Sequence, residues 1–228
     1  MEKYHHVVIG AGINGSCTAF QLAKRGTKVL LLEKFLLPHS RGSSHGQSRG
    51  IRKAYPDPFF TALMEEAYKE WEDIEKKTGV KLIKKTGLLC FAENKNIKFI
   101  NDTIDSFKKV PGAQNTVYNS KQLREKFPCV RLGKSALGCY DPSGGVIFAD
   151  KALKCIQDLC KEYGVVIKDG EDVEDIKHNS NSVHISTTSG SRFTAQSCVI
   201  CPGPWGGPLL AKLGYQVPLK PVKIPVYY

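Results

Sequence analysis

Three glycines and one acid near the start of the chain have the residue types and the spacing of a dinucleotide-binding site. Gly10, Gly12 and Gly15 form G-x-G-x-x-G directly after a short apolar run, and Glu33 follows a second apolar run. The first glycine permits a tight turn, the second lets backbone approach a pyrophosphate, and the third lets a helix pack closely on a strand. The N-terminus of that helix offers N–H groups and a positive dipole end to phosphates. A carboxylate at Glu33 accepts hydrogen bonds from ribose hydroxyls and repels a 2′-phosphate, so the pattern predicts FAD or NAD and not NADP.

A second group of residues that could do chemistry follows Glu33 in a polar, glycine-rich stretch. Residues 38–50 contain almost no apolar side chain, and so long an irregular segment in a compact domain is usually functional or disordered. Two imidazoles and three guanidinium groups stand in this stretch or directly after it: His39, His45, Arg41, Arg49 and Arg52. Cationic groups with small hydroxyls between them are a suitable lining for an anionic ligand. A flexible surface loop is the alternative that the residues leave open.

The elements that must position these groups form a βαβ unit. Residues 7–9 and 29–32 are apolar runs typical of buried strands, and between them the helical spacing of Ala19 and Ala23 ends at Gly26. Strand, helix, strand and acid together favour the dinucleotide interpretation over a plain glycine-rich turn.

A longer helix is predicted after Asp57-Pro58, because the aspartate can cap the helix and proline suits its first position. The helix is expected to end near Gly79. Its apolar residues share one stripe, which predicts a face directed into the core: Phe60, Leu63, Ala67, Trp71 and Ile74.

The rest of the chain alternates between strand and helix patterns. Strands are predicted at residues 85–92, 137–140, 145–148, 165–167 and 197–201, with a hairpin of 183–187 and 192–195 around Ser189-Gly190. Helices are predicted at residues 94–109, at 120–127, and from an N-cap at Asp150 to Gly164. Gly203 follows the last strand, where open α/β sheets bind ligands, although a plain connection between elements explains it equally well.

Composition and charge bound the class of protein. The chain has 228 residues, of which 41% are hydrophobic and 24% charged, as in an ordinary globular protein of one large or two small domains. The net charge of +11 comes from lysines and arginines scattered along the chain, which favours a solvated basic surface over a nucleic-acid or membrane interface. The apolar runs are too short for a signal peptide or a membrane span.

The eight cysteines are spread along the chain, which favours a reducing intracellular compartment. Cys155 and Cys160 stand in amphipathic patterns where a thiol acts as a small hydrophobe. Cys198 and Cys201 have C-x-x-C spacing, but they stand in an apolar strand-like run with no second pair. Metal or redox use is therefore not favoured, and no metal site is predicted.

Several segments of the chain, taken together and in their order, match the pattern of a known protein family. They are the fingerprint ending at Glu33 and the stretches 37–49, 51–55, 85–89, 143–147 and 203–205. Together they cover essentially the whole chain and resemble the monomeric sarcosine oxidase family of amine-oxidising flavoproteins, most of all its peroxisomal sarcosine/pipecolate oxidase branch. The resemblance implies FAD-dependent oxidation of a secondary amino acid, such as sarcosine or L-pipecolate, with reduction of O₂ to hydrogen peroxide.

The resemblance also implies roles for particular residues. Cofactor-binding residues would come from the fingerprint, the loop after it and two later strand ends: Gly10, Gly12, Ile13, Asn14, Gly15, Glu33, Lys34, Gly42, Ser43, Ser44, Val173, Gly203 and Trp205. His45 and Arg49 match catalytic residues beside the isoalloxazine, where a fixed cation favours negative charge on reduced flavin. Arg52 matches the arginine that pairs with the substrate carboxylate. Gly50 departs from the family, which has a bulky aliphatic residue between the two arginines.

The implied fold is α/β. A Rossmann-like FAD-binding domain would comprise residues 1–84 and 145–215, and a partial, β-rich (α+β) substrate domain would comprise residues 85–144 and 216–228. Gly15 and Glu33 would then belong to the first domain.

The family's chain continues well beyond residue 228, so the chain is interpreted as an N-terminal portion. The cysteine that bonds covalently to FAD in the family and the lysine that activates oxygen would lie in that further part. Strand candidates near Leu219 and Ile224 would then lack their pairing partners.

A monomer is expected that binds a small amino-acid substrate and O₂, and neither nucleic acid nor a membrane. The peroxisome is the compartment implied for the full-length family. Because residues 226–228 are not a peroxisomal targeting tripeptide, the cytoplasm is the alternative for this chain.

Three other functions compete with this interpretation. An NAD-dependent dehydrogenase would share the glycine fingerprint, but the long His/Arg/Ser stretch after Glu33 argues against it. A catalytically dead FAD-binding or regulatory fragment would follow from an absent C-terminal half. An RNA-binding module is the weakest alternative, because no aromatic and basic recognition motif accompanies the positive charge.

Overall fold

The computed structural model describes residues 3–224, and the elements below are those of the described residues. The strands are β1 (Lys3–Ile9), β2 (Val29–Leu32), β3 (Arg49–Ile51), β4 (Ile83–Lys85), β5 (Leu88–Ala92), β6 (Thr116–Asn119), β7 (Leu137–Asp141), β8 (Gly145–Ile147), β9 (Val166–Lys168), β10 (Val173–His178), β11 (Val183–Thr187) and β12 (Arg192–Ile200). The helices are α1 (Ile13–Lys24), α2 (Pro58–Thr78), α3 (Ile97–Lys109), α4 (Ser120–Lys126), α5 (Ala149–Glu162) and α6 (Gly206–Lys212), with 3₁₀ turns at Asn94–Asn96 and Gly203–Trp205.

The first of two compact units contains the residues up to Gly46 and those from Ala149 onward. Its six-stranded sheet has the order β10-β11-β12-β1-β2-β9. The neighbouring strands from β12 to β9 pair parallel, whereas β11 pairs antiparallel with both β10 and β12. Every residue of β2 is buried, as expected for a strand inside a parallel sheet. Leu209 of α6 and Leu213 directly after it pack against the core cluster that holds Leu30 and Leu32. The predicted α/β class with a parallel sheet is confirmed.

The predicted βαβ unit at the start of the chain is confirmed. Gly10 follows β1 with a φ of 98°, a conformation that favours glycine. Gly12 is the N-cap of α1 with extended backbone, and Gly26 follows the helix with a φ of 80°. The chain then enters β2 and reaches Glu33 at the carboxyl end of that strand.

Strand β12 takes part in two kinds of pairing. Its first half pairs antiparallel with β11, while the residues from Thr194 onward pair parallel with β1. The sequence predicted two separate strands at 192–195 and 197–201, but they are one strand of nine residues. The predicted hairpin of β11 and β12 is confirmed.

The second unit is Gln47–Phe148. It contains two antiparallel three-stranded sheets, in the orders β3-β8-β4 and β5-β7-β6. Helix α2 begins as predicted, because the Asp57 carboxylate accepts the Phe59 N–H at 2.9 Å, and it ends at Gly79 with a φ of 68°. α2 packs against α3, and α3 packs on β5 and β7.

The predicted core-facing stripe of α2 is wrong in its first turns, where Phe60 and Leu63 are exposed. The buried residue there is Thr61, whose hydroxyl lies 2.7 Å from the Ser106 hydroxyl of α3. Because a buried hydroxyl must find a partner, this polar contact sets the face that the helix turns inward. Tyr68 continues the buried face further along the helix.

Two predicted boundaries are also wrong. The strand predicted at 85–92 is broken at Gly87, whose φ of 71° ends β4 before β5 begins in a different sheet. A Cβ on Gly87 would lie 1.9 Å from the Tyr140 hydroxyl, so tight packing requires glycine at this break. Asp150, the predicted N-cap, lies inside the first turn of α5.

Strands β3, β6 and β10 were not predicted, and no strand forms at Leu219 or Ile224, which are exposed. Residues 47–84 belong to the second compact unit, and the predicted division into an FAD-binding and a substrate domain stays a prediction. Residues 226–228, which the sequence analysis considered as a targeting tripeptide, lie outside the described residues. Among residues 3–224, no helix combines the length and the apolar character needed to cross a bilayer.

Candidate functional site

A cavity of about 840 Å³ opens in the first unit beside the ends of β1, β2 and β12. Because these strands are parallel, their carboxyl ends meet at one edge of the sheet, which is where open α/β sheets bind ligands. The cavity is of the size that small molecules and cofactors occupy in proteins. Most of its lining comes from five stretches of chain, residues 9–14, 33–35, 41–45, 171–174 and 200–205.

The structure gathers nearly all of the predicted cofactor-binding residues around this cavity. The predicted residues that line it are Gly10, Gly12, Ile13, Asn14, Glu33, Lys34, Gly42, Ser43, Ser44, Val173, Gly203 and Trp205, together with His45. Gly15 is not part of the lining. Residues far apart in the chain therefore converge on one concave surface.

The glycines allow backbone segments to approach each other more closely than side chains would permit. A Cβ on Gly15 would lie 1.8 Å from the Gly10 carbonyl oxygen, and a Cβ on Gly10 would lie 2.3 Å from the Cys201 carbonyl oxygen. The turn, the start of α1 and the end of β12 are thus in direct backbone contact. Gly15 serves this packing, as the sequence predicted for the third glycine.

The Glu33 carboxylate is held rigidly at the cavity wall. Glu33 is 7% exposed, and its Oε2 accepts the Ala11 N–H at 2.8 Å. Its Oε1 accepts the Phe35 N–H at 3.0 Å and lies 3.4 Å from Nε2 of His39. A carboxylate has about four acceptor positions, so it can still accept from the hydroxyls of a ribose.

The first turn of α1 presents N–H groups toward Ser44. The Ile13 N–H donates to Oγ of Ser44 at 2.9 Å, because the first N–H groups of a helix have no partner within it. A Cβ on Gly12 would lie 3.1 Å from the same Oγ. An oxygen acceptor therefore occupies the position where a helix N-terminus binds phosphate, and the residues present fit an anionic diphosphate.

An aromatic and cationic wall lies beside this turn. The ring of Phe35 packs edge-on against Trp205 and against His39, with centroid distances of 5.2 Å in both cases. The Arg41 guanidinium carbon lies 4.7 Å from the Phe35 centroid. Arg41 belongs to the stretch that the sequence offered as a lining for an anionic ligand, whereas sequence reasoning missed Phe35 as a lining residue. The available signal was position, because a chain that leaves the carboxyl end of β2 must pass the edge where the ligand binds.

Two further acidic residues of the cavity lining, Glu171 and Asp172, were also missed. Asp172 forms an ion pair with Lys34 at 2.8 Å, and the Glu171 N–H donates to the Glu33 carbonyl at 2.8 Å. Burial raises the pKa of Glu171, but the hydroxyls of Thr187, Ser189 and Ser191 outweigh it and hold the pKa below its usual value. The carboxylate thus stays ionised and fixes the chain that enters β10.

Arg49 and Arg52 belong to the second unit and have their own contacts there. Arg49 lies in β3 and its Nη1 donates to the Ser48 carbonyl at 2.7 Å. Arg52 donates from Nε to the Ala54 carbonyl at 3.3 Å, and its guanidinium carbon lies 4.8 Å from the Tyr55 ring centroid. The expectation that both arginines act together with His45 at one site remains a prediction.

The backbone beside Arg52 is anchored by Asp141. The Lys53 N–H donates to Oδ2 of Asp141 at 2.6 Å, while Oδ1 accepts from the N–H and the hydroxyl of Ser143 at 2.9 Å and 2.6 Å. Asp141 is fully buried, so these bonds are what compensate its charge. The predicted substrate-binding arginine therefore follows a rigid strand and precedes a fixed backbone position.

Comparison with known proteins gives relatives over almost the whole chain. The peroxisomal sarcosine oxidase of Homo sapiens is 44% identical over 229 residues, which is 100% of this chain and 57% of that protein. The monomeric sarcosine oxidase of Bacillus sp. (strain NS-129) is 30% identical over 95% of this chain and 56% of its own length. Among solved structures, the amino acid oxidase NikD in its open form has a TM-score of 0.81 at 27% identity, covering 94% of this chain and 55% of that one.

The chain thus spans little more than half the length of the relatives that it matches. A family model described as FAD dependent oxidoreductase, DAO, matches residues 5–227. The predictions of a flavoprotein relationship and of FAD as the cofactor are therefore confirmed. This chain belongs to the DAO family of FAD-dependent oxidoreductases.

Proposed function

We propose that this chain supplies the FAD-binding part of an amine oxidase that oxidises a secondary amino acid, sarcosine or L-pipecolate, to an imine and reduces O₂ to hydrogen peroxide. The observation that carries the proposal is the convergence of the predicted cofactor residues on one cavity at the carboxyl edge of the parallel sheet. Relatives named sarcosine oxidases support the substrate class.

In this proposal the first unit holds the adenosine and diphosphate parts of FAD. Glu33 accepts from the ribose, and the first turn of α1 binds the diphosphate beside Ser44. Lys34, Gly42 and Val173 close the walls of the cavity. FAD, when bound, supplies the two-electron acceptor for amine oxidation.

The second unit supplies substrate recognition in the same proposal. Arg52 binds the substrate carboxylate through the two parallel N–H donors of its guanidinium group. Arg49 provides positive charge where negative charge develops during the reaction, and His45 is proposed as a second catalytic residue. A basic protein of net charge +11 also favours the carboxylate of an amino-acid substrate.

The proposal extends to assembly and compartment. A monomer is proposed because several relatives are named monomeric sarcosine oxidase. The peroxisome is proposed for the complete protein because the relatives from Homo sapiens and Mus musculus are named peroxisomal.

The test is the visible spectrum of the purified chain after addition of FAD and gel filtration, followed by acid precipitation. We expect flavin bands that co-elute with the protein and colour that is released into the supernatant by acid. Peroxide release with sarcosine or L-pipecolate is then measured on the same sample. A chain that retains no flavin but is stabilised against heat by NAD would overturn the proposal.

A second candidate function is FAD binding without turnover, as in a regulatory or catalytically dead protein. The observation that favours it is that the residues lining the candidate cofactor cavity all belong to the first unit, so the cavity does not depend on the arginines proposed for catalysis and substrate binding. Retained flavin with no peroxide from either substrate would select this second function over the first.

A further inference from the structure

Two cysteines of the second unit face each other across an antiparallel pair of strands. In the register of β5 and β7, Cys90 stands directly opposite Cys139. Opposite residues in antiparallel strands have Cα atoms about 4.5 Å or about 5.5 Å apart, depending on the kind of pair. Both separations fall within the roughly 4.4–6.8 Å that a disulfide bond spans.

Their side chains also lie on the same face of the sheet, as directly opposite residues must. Cys139 is fully buried in a core cluster with Ala54, Ile104 and Phe107, and Cys90 packs against this cluster from its rim. The Asn115 amide donates to the Cys139 sulfur at 3.3 Å. Both cysteines are free thiols.

We propose that Cys90 and Cys139 are an oxidative modification site, which forms a reversible cross-strand disulfide when the protein meets hydrogen peroxide. The proposed function releases this oxidant, and the inference rests on that function only for the source of the peroxide. A hydroperoxide from any other source has the same chemistry.

The reaction balances as two steps. The Cys90 sulfur attacks one oxygen of the peroxide, the O–O bond breaks, and a sulfenic acid and one water form. The Cys139 sulfur then attacks the sulfenic sulfur, the S–O bond breaks, and the disulfide and a second water form. Two thiols and one hydrogen peroxide give one disulfide and two waters.

Cys90 is the thiol that reacts first because it is the more accessible of the two and lies in the field of Arg52. Burial raises its pKa and Asp141 raises it further, while the Arg52 guanidinium lowers it. Burial raises the pKa of Cys139 to about 11, partly offset by the Asn115 bond. Both groups are thiols at neutral pH, so the pair reacts slowly and faster as pH rises.

The disulfide would act on the segment that carries Arg52. Ala54 belongs to the same core cluster as Cys139, and its carbonyl accepts from Nε of Arg52. Asp141 stands two residues after Cys139 and anchors the Lys53 N–H. Oxidation of the pair therefore alters the packing beneath the backbone on which Arg52 depends.

The experiment treats the full reduced chain, in a Cys129→Ser background, with hydrogen peroxide at pH 7 and pH 8. Cys129 is the exposed cysteine among the eight, and its removal limits disulfides between molecules. Free thiols are blocked with N-ethylmaleimide during unfolding, and peptides are mapped by mass spectrometry. We expect a linked pair of peptides containing Cys90 and Cys139, formed about tenfold faster at pH 8 and reversed by dithiothreitol.

Cys90→Ser is the matched variant, since a half-buried serine preserves size, and circular dichroism checks its fold. In this variant we expect Cys139 to remain a thiol that maleimide blocks after unfolding. Free Cys90 and Cys139 after treatment would overturn the proposal, and so would a disulfide only between other cysteines, such as Cys198 and Cys201. Because the peroxide is added from outside, absence of amine oxidation leaves this result unaffected.

Discussion

At the scale of single residues, Gly12 is the position where the absence of a side chain lets a diphosphate approach the backbone. Its φ of −67° suits any residue, so Gly12→Ala leaves the turn intact, and the added Cβ meets only the movable Ser44 side chain. The methyl group would stand between the backbone and the phosphates. We expect the Kd for FAD to rise at least about tenfold, or about 1.4 kcal/mol, measured by fluorescence titration.

The matched control for this variant is Gly207→Ala in α6, where an added Cβ meets no atom within 4 Å. Its affinity for FAD should equal that of the unchanged chain. Equal affinities in both variants would remove the α1 turn from the cofactor site.

Replacing Arg52 and Arg49 by alanine should change different kinetic parameters. Loss of the carboxylate partner in Arg52→Ala should raise KM at least about tenfold, because a paired charge contributes more than about 1.4 kcal/mol in a dry site. Arg49→Ala should chiefly lower kcat, because its charge matters when negative charge develops. Peroxide release measures both effects, and perturbation of flavin absorbance by a carboxylate ligand measures the first without turnover.

Arg52→Lys is the control, because it keeps the charge and loses the forked donor geometry. It should bind the carboxylate more weakly than arginine and more tightly than alanine. Unchanged KM and kcat in both alanine variants would place the arginines outside the site.

At the residue scale the sequence predicted many of the residues that line the cavity, because the glycines of the fingerprint and the acid at the end of β2 are recognisable from their spacing in the chain. Glu33 shows the limit. The carboxylate was predicted as a ribose acceptor, but the bonds from Ala11 and Phe35 that fix it depend on the path of the turn. Asp172 could not be found from its neighbours in sequence, since its partner Lys34 comes from a distant strand end.

At the scale of elements, Glu75 connects the end of α2 to β4. Its Oε1 accepts the N–H groups of Leu82 and Ile83 at 2.6 Å and 2.8 Å, and its Oε2 pairs with Lys81 at 2.9 Å. Glu75→Ala should lower the free energy of unfolding by about 2 kcal/mol in urea denaturation, because two buried N–H groups lose a charged acceptor. Glu72→Ala, which removes only a half-exposed ion pair with Lys85, should cost about 0.5 kcal/mol or less.

The pH dependence of this contribution has a definite sign. Burial raises the pKa of Glu75, but the Lys81 ammonium and the two N–H groups outweigh it and lower the pKa overall. The stabilisation is therefore present above the unfolded-state pKa and is lost as pH falls through the folded-state value. Equal stability of the variant and the unchanged chain at neutral pH would contradict the role of Glu75.

Prediction of helices and strands succeeded where a local sequence signal determines the end of an element. It failed where packing against another element determines which face is buried. The Asp57 cap and the Gly79 stop determine both ends of α2 from within the chain. The inward face of its first turns depends on the Thr61 hydroxyl and a partner on α3, which the apolar pattern does not contain. β3 and β4 are only three residues long, so neither is long enough to show a period of two.

At the scale of the whole molecule, buried thiols should limit stability in alkali. Burial raises the pKa of Cys139 to about 11 and those of Cys160 and Cys198 to about 12, against an ordinary value of 9.0. The unfolded chain ionises these thiols first, so stability is full below pH 9 and falls as pH rises toward the folded-state values. Each thiol removes about 1.4 kcal/mol per pH unit in that window.

Thermal melting between pH 8 and pH 10.5, with a reductant present, measures this loss. Cys160→Ala should weaken the dependence of Tm on pH, because one of the three thiols no longer contributes to the loss of stability. A Tm that stays constant over this range would contradict the prediction.

The central pairing of β1 with β12 joins residues 191 positions apart, as the 2.7 Å contact between His6 Nδ1 and Ser197 Oγ illustrates. Closing so long a loop costs about 4.6 kcal/mol of chain entropy beyond a constant term. During synthesis, the second unit is complete once Phe148 has left the ribosome, whereas β1 waits for β12. The segment that carries Arg52 can therefore fold before the FAD cavity exists, so the unit that begins second in the chain is the first that can complete its folding.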